Sequence, residues 1–352
     1  MGLPQIDIVF KGQAVTAVNR SAMGIVLLMV KDATANFLND FIAYRDITQV
    51  NEENWSEENF DYISQAFMGT PSRVLVCNLG PEGTVSDGLQ KSKSKKWNYL
   101  AVPFAEEETT SIASFIKSQR ENEKKTFKAV LANEQADHEG IINFTTDEIV
   151  VGEKIYTTAE YTPRIAGILA GLPFTRSATY FSLPEVDSIK EHDDPDADID
   201  NGQLILVNDG EEIKIGRAVN SLTSFTVKKT EDFSVIKVME VMDMMHDDIY
   251  STFKNEYVGK VQNIYDNQVL FFTSVNAYYQ GLEGDVILDP NFDNRAEINV
   301  EAQRLAWETI GTDTSDWDDQ KVKEMSFKRN VFTKGRVKIV DAIEDLEFQV
   351  SI

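Results

Sequence analysis

The chain has 352 residues, with 34 Lys and Arg against 58 Asp and Glu, a formal net charge of −24. A surface this acidic repels polyanions, which disfavours nucleic acid and anionic lipid as partners, while 42% hydrophobic and 10% aromatic residues supply real cores and exclude wholesale disorder. The length suggests two or three domains, the single Cys77 excludes a disulfide framework or a cysteine metal site and reads as a small buried hydrophobe, and no apolar run reaches the ~18 residues that span a bilayer.

In chain order, the first element is an alternating strand in which Ile6, Ile8 and Phe10 share one face, closed by Lys11-Gly12. Residues 24–30 are continuously apolar and read as a buried strand. A signal h-region is the poorer fit, because a long strand-like stretch containing Asp7 precedes them. Residues 55–68 read as a helix, with Ser56 as N-cap before Glu57 and Glu58, and with Phe60, Ile63, Phe67 and Met68 on one stripe. A strand over 73–79, a short helix over 83–93, a strand over 98–102, a helix over 105–122 and a strand over 127–131 follow. Strands alternating with helices predict a compact α/β unit over 21–135.

The pattern then changes. Short strands are expected over 140–144 and 149–156, the second turning at Gly152. Residues 157–172 read as a helix rich in small residues, with Pro163 early and Gly167 and Gly171 permitting close backbone packing. Residues 184–202 are an acidic, Pro- and Gly-punctuated linker, followed by a hairpin of 204–207 and 212–219 around Asn208-Asp209-Gly210. The last third is mostly helical: a long helix over 232–257, then helices over 267–282, 297–310 and 317–327. The chain closes with a hairpin-like pair, 331–342 and 345–352. In the final strand Leu346, Phe348, Val350 and Ile352 alternate with Asp345, Glu347, Gln349 and Ser351.

No residue pattern marks a catalytic, cofactor-binding or metal residue, and no cofactor is implied. There is no phosphate-cradling loop, dinucleotide fingerprint, nucleophile elbow or zinc-protease motif. His138, His192 and His246 are not paired at ligand spacing, and Asp243, Asp247 and Asp248 around His246 read as a solvated helix face. Asp196, Asp198 and Asp200 resemble the start of a calcium loop. Asn201 and Val207 then occupy the positions where such a loop needs Gly and a bidentate Glu, so a solvated loop is expected. The two end strands stand out. A strand with one apolar face must join a sheet, either its own domain's or, by β-augmentation, a neighbour's.

Several segments carry a resemblance. Val151-Gly152-Glu153-Lys154, the run Arg164-Ile165-Ala166-Gly167-Ile168-Leu169-Ala170-Gly171-Leu172-Pro173, His138-Glu139-Gly140-Ile141-Ile142-Asn143 and Val219-Asn220-Ser221-Leu222-Thr223-Ser224-Phe225-Thr226 resemble contractile tail sheath proteins of phages, defective prophages and R-type bacteriocins. So do Asp247-Asp248-Ile249, Tyr257-Val258-Gly259-Lys260-Val261, the terminal run from Gly335 to Leu346, and the opening Gly2-Leu3-Pro4. The matches run in order along nearly the whole chain, most densely over 138–261 and 331–352. Each is made of packing and turn residues; their ordered co-occurrence carries the specificity.

The resemblance implies a structural subunit, not an enzyme. It would polymerise as stacked six-fold discs around a tail tube and contract to drive the tube through a target envelope. Its partners would be other copies of itself, the tube protein, the baseplate and the tail terminator, with no nucleic acid and no membrane insertion. Its place would be a virion or bacteriocin tail assembled in the host cytoplasm. The implied fold is multidomain α+β: an N-terminal arm (1–20) belonging to an inner domain, an outer α/β domain (21–135), a mixed segment (136–214) with the acidic linker 184–202, an inner domain (215–342) and a C-terminal β-arm (343–352). Ile6, Ile8, Phe10, Leu346, Phe348, Val350 and Ile352 would make the inter-subunit arms. A basic cluster over 321–338 (Lys321, Lys323, Lys328, Arg329, Lys334, Arg336 and Lys338) follows acidic residues at 313–319, and Lys321, Lys323, Lys328 and Arg329 are candidates for the tube contact. Solvated helix-end charges and pairing with a neighbouring subunit are the alternatives. The competing functional class is a small-molecule enzyme using the α/β unit of 21–135.

Overall fold

The computed structural model of the chain describes Val18 and residues 24–34 and 41–351. The predicted strand of Ile6, Ile8 and Phe10, and Ile352, lie outside the described residues. Two compact units are present: Ala22–His246 with Asp341–Ile352, and a second whose described part is Val18 and Asp247–Val340.

In the first unit the elements are β1 (Ile25–Val30), β2 (Phe41–Tyr44), α1 (Glu57–Met68), β3 (Arg73–Asn78), α2 (Val85–Ser92), β4 (Tyr99–Ala101), α3 (Thr109–Glu121), β5 (Lys128–Ala132) and β6 (Ile141–Phe144). They are followed by β7 (Ile149–Val151), β8 (Lys154–Tyr156), α4 (Thr162–Gly171), α5 (Pro195–Asp200), β9 (Gln203–Leu204), β10 (Leu206–Asn208) and β11 (Ile213–Ile215). A seven-stranded sheet in the order β2-β3-β1-β4-β5-β6-β9 organises the unit. Every neighbouring pair is parallel except β2 with β3. Parallel strands covered on both faces explain the continuous apolar runs: all of β1 is buried, and Cys77 sits fully buried in β3. The period of two divides the sheet's side chains into two cores. Val26, Leu28, Val74 and Val76 pack with Ile63 and Ala66 of α1 and Ile165 and Ile168 of α4. Ile25, Leu27, Met29 and Leu100 pack on the other face with Leu89 of α2 and Ile112 and Ile116 of α3.

The sheet does not stop at residue 135, where the change of pattern put the end of the α/β unit. β6 and β9 continue it in parallel, and β2, whose four residues are too short for a periodicity signal, pairs on the other edge. Within the acidic stretch 184–202, Asp194 caps α5 by accepting the Ala197 N–H at 3.1 Å. The run that resembled a calcium loop is thus a short helix with Pro195 in its first turn. The expected hairpin at 208–210 is present as β10–β11.

Helix α6 (Ile236–Thr252) is followed by one π-helical turn, Phe253–Tyr257, inside the expected 232–257 span. The second unit continues with α7 (Tyr265–Gly284), β12 (Arg295–Ile298), α8 (Val300–Thr309), α9 (Asp319–Glu324) and β13 (Thr333–Arg336). Phe271 holds its core, edge-on to Phe253 at 5.2 Å and Tyr257 at 5.1 Å. The expected helix over 297–310 is a strand and a helix, because Asn299 caps α8 by accepting the Ala302 N–H at 3.0 Å. The expected terminal hairpin is also corrected. β13 pairs antiparallel with β12, and residues 341–351 form no strand among the described residues.

Candidate assembly interface

Three features could bind another chain. The first is the C-terminal segment, where the alternation of Leu346, Phe348 and Val350 finds no partner among the described residues. They are 85%, 79% and 68% exposed, and Ile343 is 97% exposed. A row of large apolar side chains held in water is unfavourable by about 1.5–3 kcal/mol each relative to burial, which makes this face a candidate for covering by another chain.

The second is the edge of the two-stranded β12–β13 sheet. Asn276 on α7 closes the outer edge of β12: its Nδ2 donates to the Ala296 carbonyl at 3.1 Å and its Oδ1 accepts the Ala296 N–H at 2.8 Å. Every residue of β13 is exposed. An open strand edge is a template for a further strand.

The third is the basic cluster, which the structure splits in two. Lys334, Arg336 and Lys338 pair with Glu297, Asp293 and Asp289. Lys321, Lys323, Lys328 and Arg329 make no ion pair among the described residues. Lys321 and Lys323 lie in the last turn of α9, where cations complement the helix dipole. Lys328 has left-handed backbone (φ 46°) with its ammonium 5.3 Å from the Phe327 ring centre.

The chemistry inside the first unit is structural. Open α/β sheets bind ligands at the carboxyl ends of their strands. Beyond β1 stands Asp32, whose carboxylate accepts from the Thr34 and Ser56 N–H groups, the Ser56 hydroxyl and the Asn59 amide at 2.7–3.0 Å. Burial alone would raise its pKa, yet these donors outweigh burial and hold it below the usual range. The residue that could meet a ligand instead braces a loop against α1. His192 stands between the Thr146 hydroxyl, 2.9 Å from Nε2, and Asp198, 2.7 Å from Nδ1. This sequence of groups has the order of a nucleophile, base and orienting acid. Thr146 is completely buried, and its oxygen accepts the Leu206 N–H at 2.8 Å. The relay ties the acidic stretch to the sheet and leaves the Thr146 oxygen, which would have to be the nucleophile, out of reach of a substrate. Among the described residues no group of three or more His, Cys, Asp or Glu is placed to hold a metal ion.

The expected solvated face around His246 is a correction as well. His246 is exposed, but Asp243 and Asp248 are buried. Asp243 takes both guanidinium nitrogens of Arg120, at 2.9 and 3.0 Å, and the Lys128 ammonium at 2.7 Å. Lys128 also pairs with Glu240 at 2.9 Å, and Glu240 accepts the Tyr99 hydroxyl. Asp248 accepts the Tyr278 hydroxyl at 2.7 Å. A carboxylate three residues from Glu240 on one helical face, opposite cations far away in sequence, leaves no local signature, which is why the spacing misled.

Two matches to family descriptions cover most of the chain: the phage tail sheath protein central domain over 82–221 and the phage tail sheath C-terminal domain over 228–352. The chain is 36% identical to the tail sheath protein of Clostridium phage phiCD119, over 100% of this chain and 99% of that one. Solved structures share the fold. The sheath tail protein of Desulfitobacterium hafniense superposes with a TM-score of 0.72 at 18% identity, over 84% of this chain and 94% of that one. The contracted helical sheath of the anti-feeding prophage does so with a TM-score of 0.71 at 12% identity, over 100% and 99%. A relative this similar over its full length, with both domain matches in order, establishes that the chain belongs to the phage tail sheath family, as a structural sheath protein of contractile systems and not an enzyme.

Proposed function

We propose that the chain is the repeating subunit of a sheath that stacks in six-fold discs around a tail tube, and that residues 346–352 add as a strand to the sheet of a neighbouring copy. The observation that carries this reading is the exposed alternating face of Leu346, Phe348 and Val350, in a chain whose β13 pairs, among the described residues, with β12 alone. The acidic Glu347 of the segment suits an edge that carries Lys334 and Arg336. Ile6, Ile8 and Phe10 play the corresponding part at the other end. Because a strand tether stays paired while rigid bodies move, it keeps the polymer connected as subunits repack from an extended to a contracted arrangement. Baseplate and tail terminator would bound the polymer, in a phage or a bacteriocin tail. The contracted sheath and baseplate assemblies of the anti-feeding prophage, whose chains share this fold, support that setting.

The test is deletion of residues 346–352. The truncated subunit should stay folded, with an unchanged melting transition, and should no longer form tubular polymers by negative-stain microscopy. Normal tubes from the truncated chain would refute the tether, and an unfolded product would place the strand in its own core.

The four cations that make no ion pair among the described residues, Lys321, Lys323, Lys328 and Arg329, face the tube in this reading. Reversing Lys321, Lys323 and Lys328 to Glu should abolish assembly onto tubes and leave tube-free polymer intact, while wild-type attachment should weaken as salt screens charge over about 8 Å. Undiminished tube binding by the triple variant would return these residues to ordinary surface.

A further inference from the structure

The C-terminal segment is not loose along its whole length. Its large apolar side chains are exposed, while Glu344 and Asp345 meet groups of their own subunit. Glu344 is recessed, its side chain only 16% exposed. Its Oε1 accepts the Ser177 hydroxyl at 2.8 Å and its Oε2 lies 3.8 Å from the Arg217 Nε. Arg217 also reaches Asp345, NH2 to Oδ1 at 2.5 Å. Lys237, buried nearby, lies in the field of Asp341 and Glu344. The flanking Ile343 and Leu346 are 97% and 85% exposed. A segment seated on its own subunit through its apolar side chains would bury isoleucine and leucine, whereas here the recessed side chain is that of Glu344, with Asp345 paired at the surface.

The holding groups are themselves fixed. Ser177 is 8% exposed. Its oxygen also accepts the Thr179 N–H at 3.1 Å, and the Thr179 hydroxyl oxygen accepts the Ala218 N–H at 3.0 Å. The Tyr180 N–H donates to the Ile215 carbonyl at 2.9 Å, and the Leu183 N–H to the Ile213 carbonyl at 2.9 Å. The stretch bearing Ser177 is therefore laced to β11, and Arg217 follows β11 by two residues. A guanidinium and a hydroxyl on this base meet two consecutive carboxylates on the departing chain.

We propose that Arg217 and Ser177 form a clip that fixes the root of the C-terminal arm at Glu344 and Asp345, so that only residues 346–352 are handed to a neighbouring copy. This rests on the reading of that segment as an inter-subunit strand. The clip acts by position. A root held at one point confines the free arm to a small volume, which raises its effective concentration at the acceptor edge and lowers the ordering cost of docking. It also separates two jobs along one short stretch: charge pairs hold the arm to its own subunit and apolar side chains hold it to the next. Arg217 and Ser177 are positioning residues, and neither touches the neighbour.

The experiment has two readouts. A nitroxide label at Ile343→Cys, with the buried Cys77 left unreacted, reports the root, and one at Val350→Cys reports the tip. In the isolated wild-type subunit the root label should be immobilised and the tip label mobile. Arg217→Gln should release the root without moving the tip or the melting transition, Ser177→Ala should do so in part, and Arg217→Lys should restore part of the immobilisation. For unlabelled protein, Arg217→Gln should raise the concentration needed for polymerisation by roughly two- to fivefold, the range of an exposed charge pair, with the wild type converging on the variant at high salt. A root label as mobile as the tip in the wild type, or unaffected by Arg217→Gln, refutes the clip, as does unchanged polymerisation by a variant whose root is released. Failure of the wild type to polymerise would overturn the proposed function, with the label readout still deciding the clip.

Discussion

Lys128 and Arg120 bring two positive charges into the interior of the first unit, and Asp243 is the group that makes them tolerable. Burial opposes the ionised form of all three, but their mutual attraction outweighs it: the Asp243 carboxyl is held below its ordinary pKa, and the two cations above theirs. Removing one member of a buried ion cluster strands the others, at a cost of roughly 3–5 kcal/mol. Asp243→Asn should therefore lower the urea midpoint by an amount far larger than a surface change, and a loss under 1 kcal/mol, on the scale of exposed pairs, would contradict the cluster. His138 is a second buried group with a readable consequence. Burial, assisted by Lys229, Arg120 and Lys117 against Glu139, lowers its pKa from 6.5 to about 4. The unfolded chain takes up that proton near pH 6.5 and the folded one only near pH 4. Stability should be full above the first value and fall across the window, by up to roughly 3 kcal/mol. His138→Asn, whose Oδ1 can still accept the Gly140 N–H that Nδ1 accepts at 3.0 Å, should flatten the decline between pH 6.5 and 4.5. An equally steep decline in the variant would move the effect to other groups.

At the scale of elements, α1 and α4 cross where neither has room for side chains. A Cβ on Gly167 would come within 2.1 Å of the Ala66 carbonyl oxygen, and one on Gly171 within 1.7 Å of the Gly69 oxygen. Gly167→Ala should thus destabilise by about 1–3 kcal/mol through overpacking. Gly281, in α7, has nothing within 4 Å of its would-be Cβ, and Gly281→Ala should stabilise by about 0.5–1 kcal/mol through helix propensity. Thermal melts of the two variants should shift in opposite directions; shifts of the same sign would contradict the packing account. The small-residue run was legible because its meaning is local, as were the Ser56 cap, which accepts the Asn59 N–H at 3.3 Å, and the apolar runs of β1 and β3. The partner of β13 was not, since strand pairing is decided by residues far apart: Arg295 opposite Arg336 and Ala296 opposite Gly335. Likewise β6 and β9 join a sheet whose other strands precede them, and no composition change marks that continuation. Arg217 and Ser177 gave no signal, because their meaning depends on two carboxylates well over a hundred residues away.

For the whole molecule, its acidity and its polymerisation must be reconciled. A net charge of −24 keeps separate subunits apart, so specific contacts must overcome repulsion. In the proposed assembly the exposed apolar row at Leu346, Phe348 and Val350 would supply a contact that salt does not screen, and the cations at 321–329 would supply one that it does. Raising salt should therefore favour sheath–sheath association while weakening attachment to the tube, a divergence that light scattering and tube co-sedimentation would reveal together. What most directly tests the tether is the density of residues 346–352 in a neighbour-resolved reconstruction of the tubular polymer. The account predicts a strand hydrogen-bonded to an adjacent subunit's sheet, with Leu346, Phe348 and Val350 buried there and Glu344 still on Arg217 of its own chain. A segment folded back onto its own subunit, or left unpaired in the polymer, would contradict it.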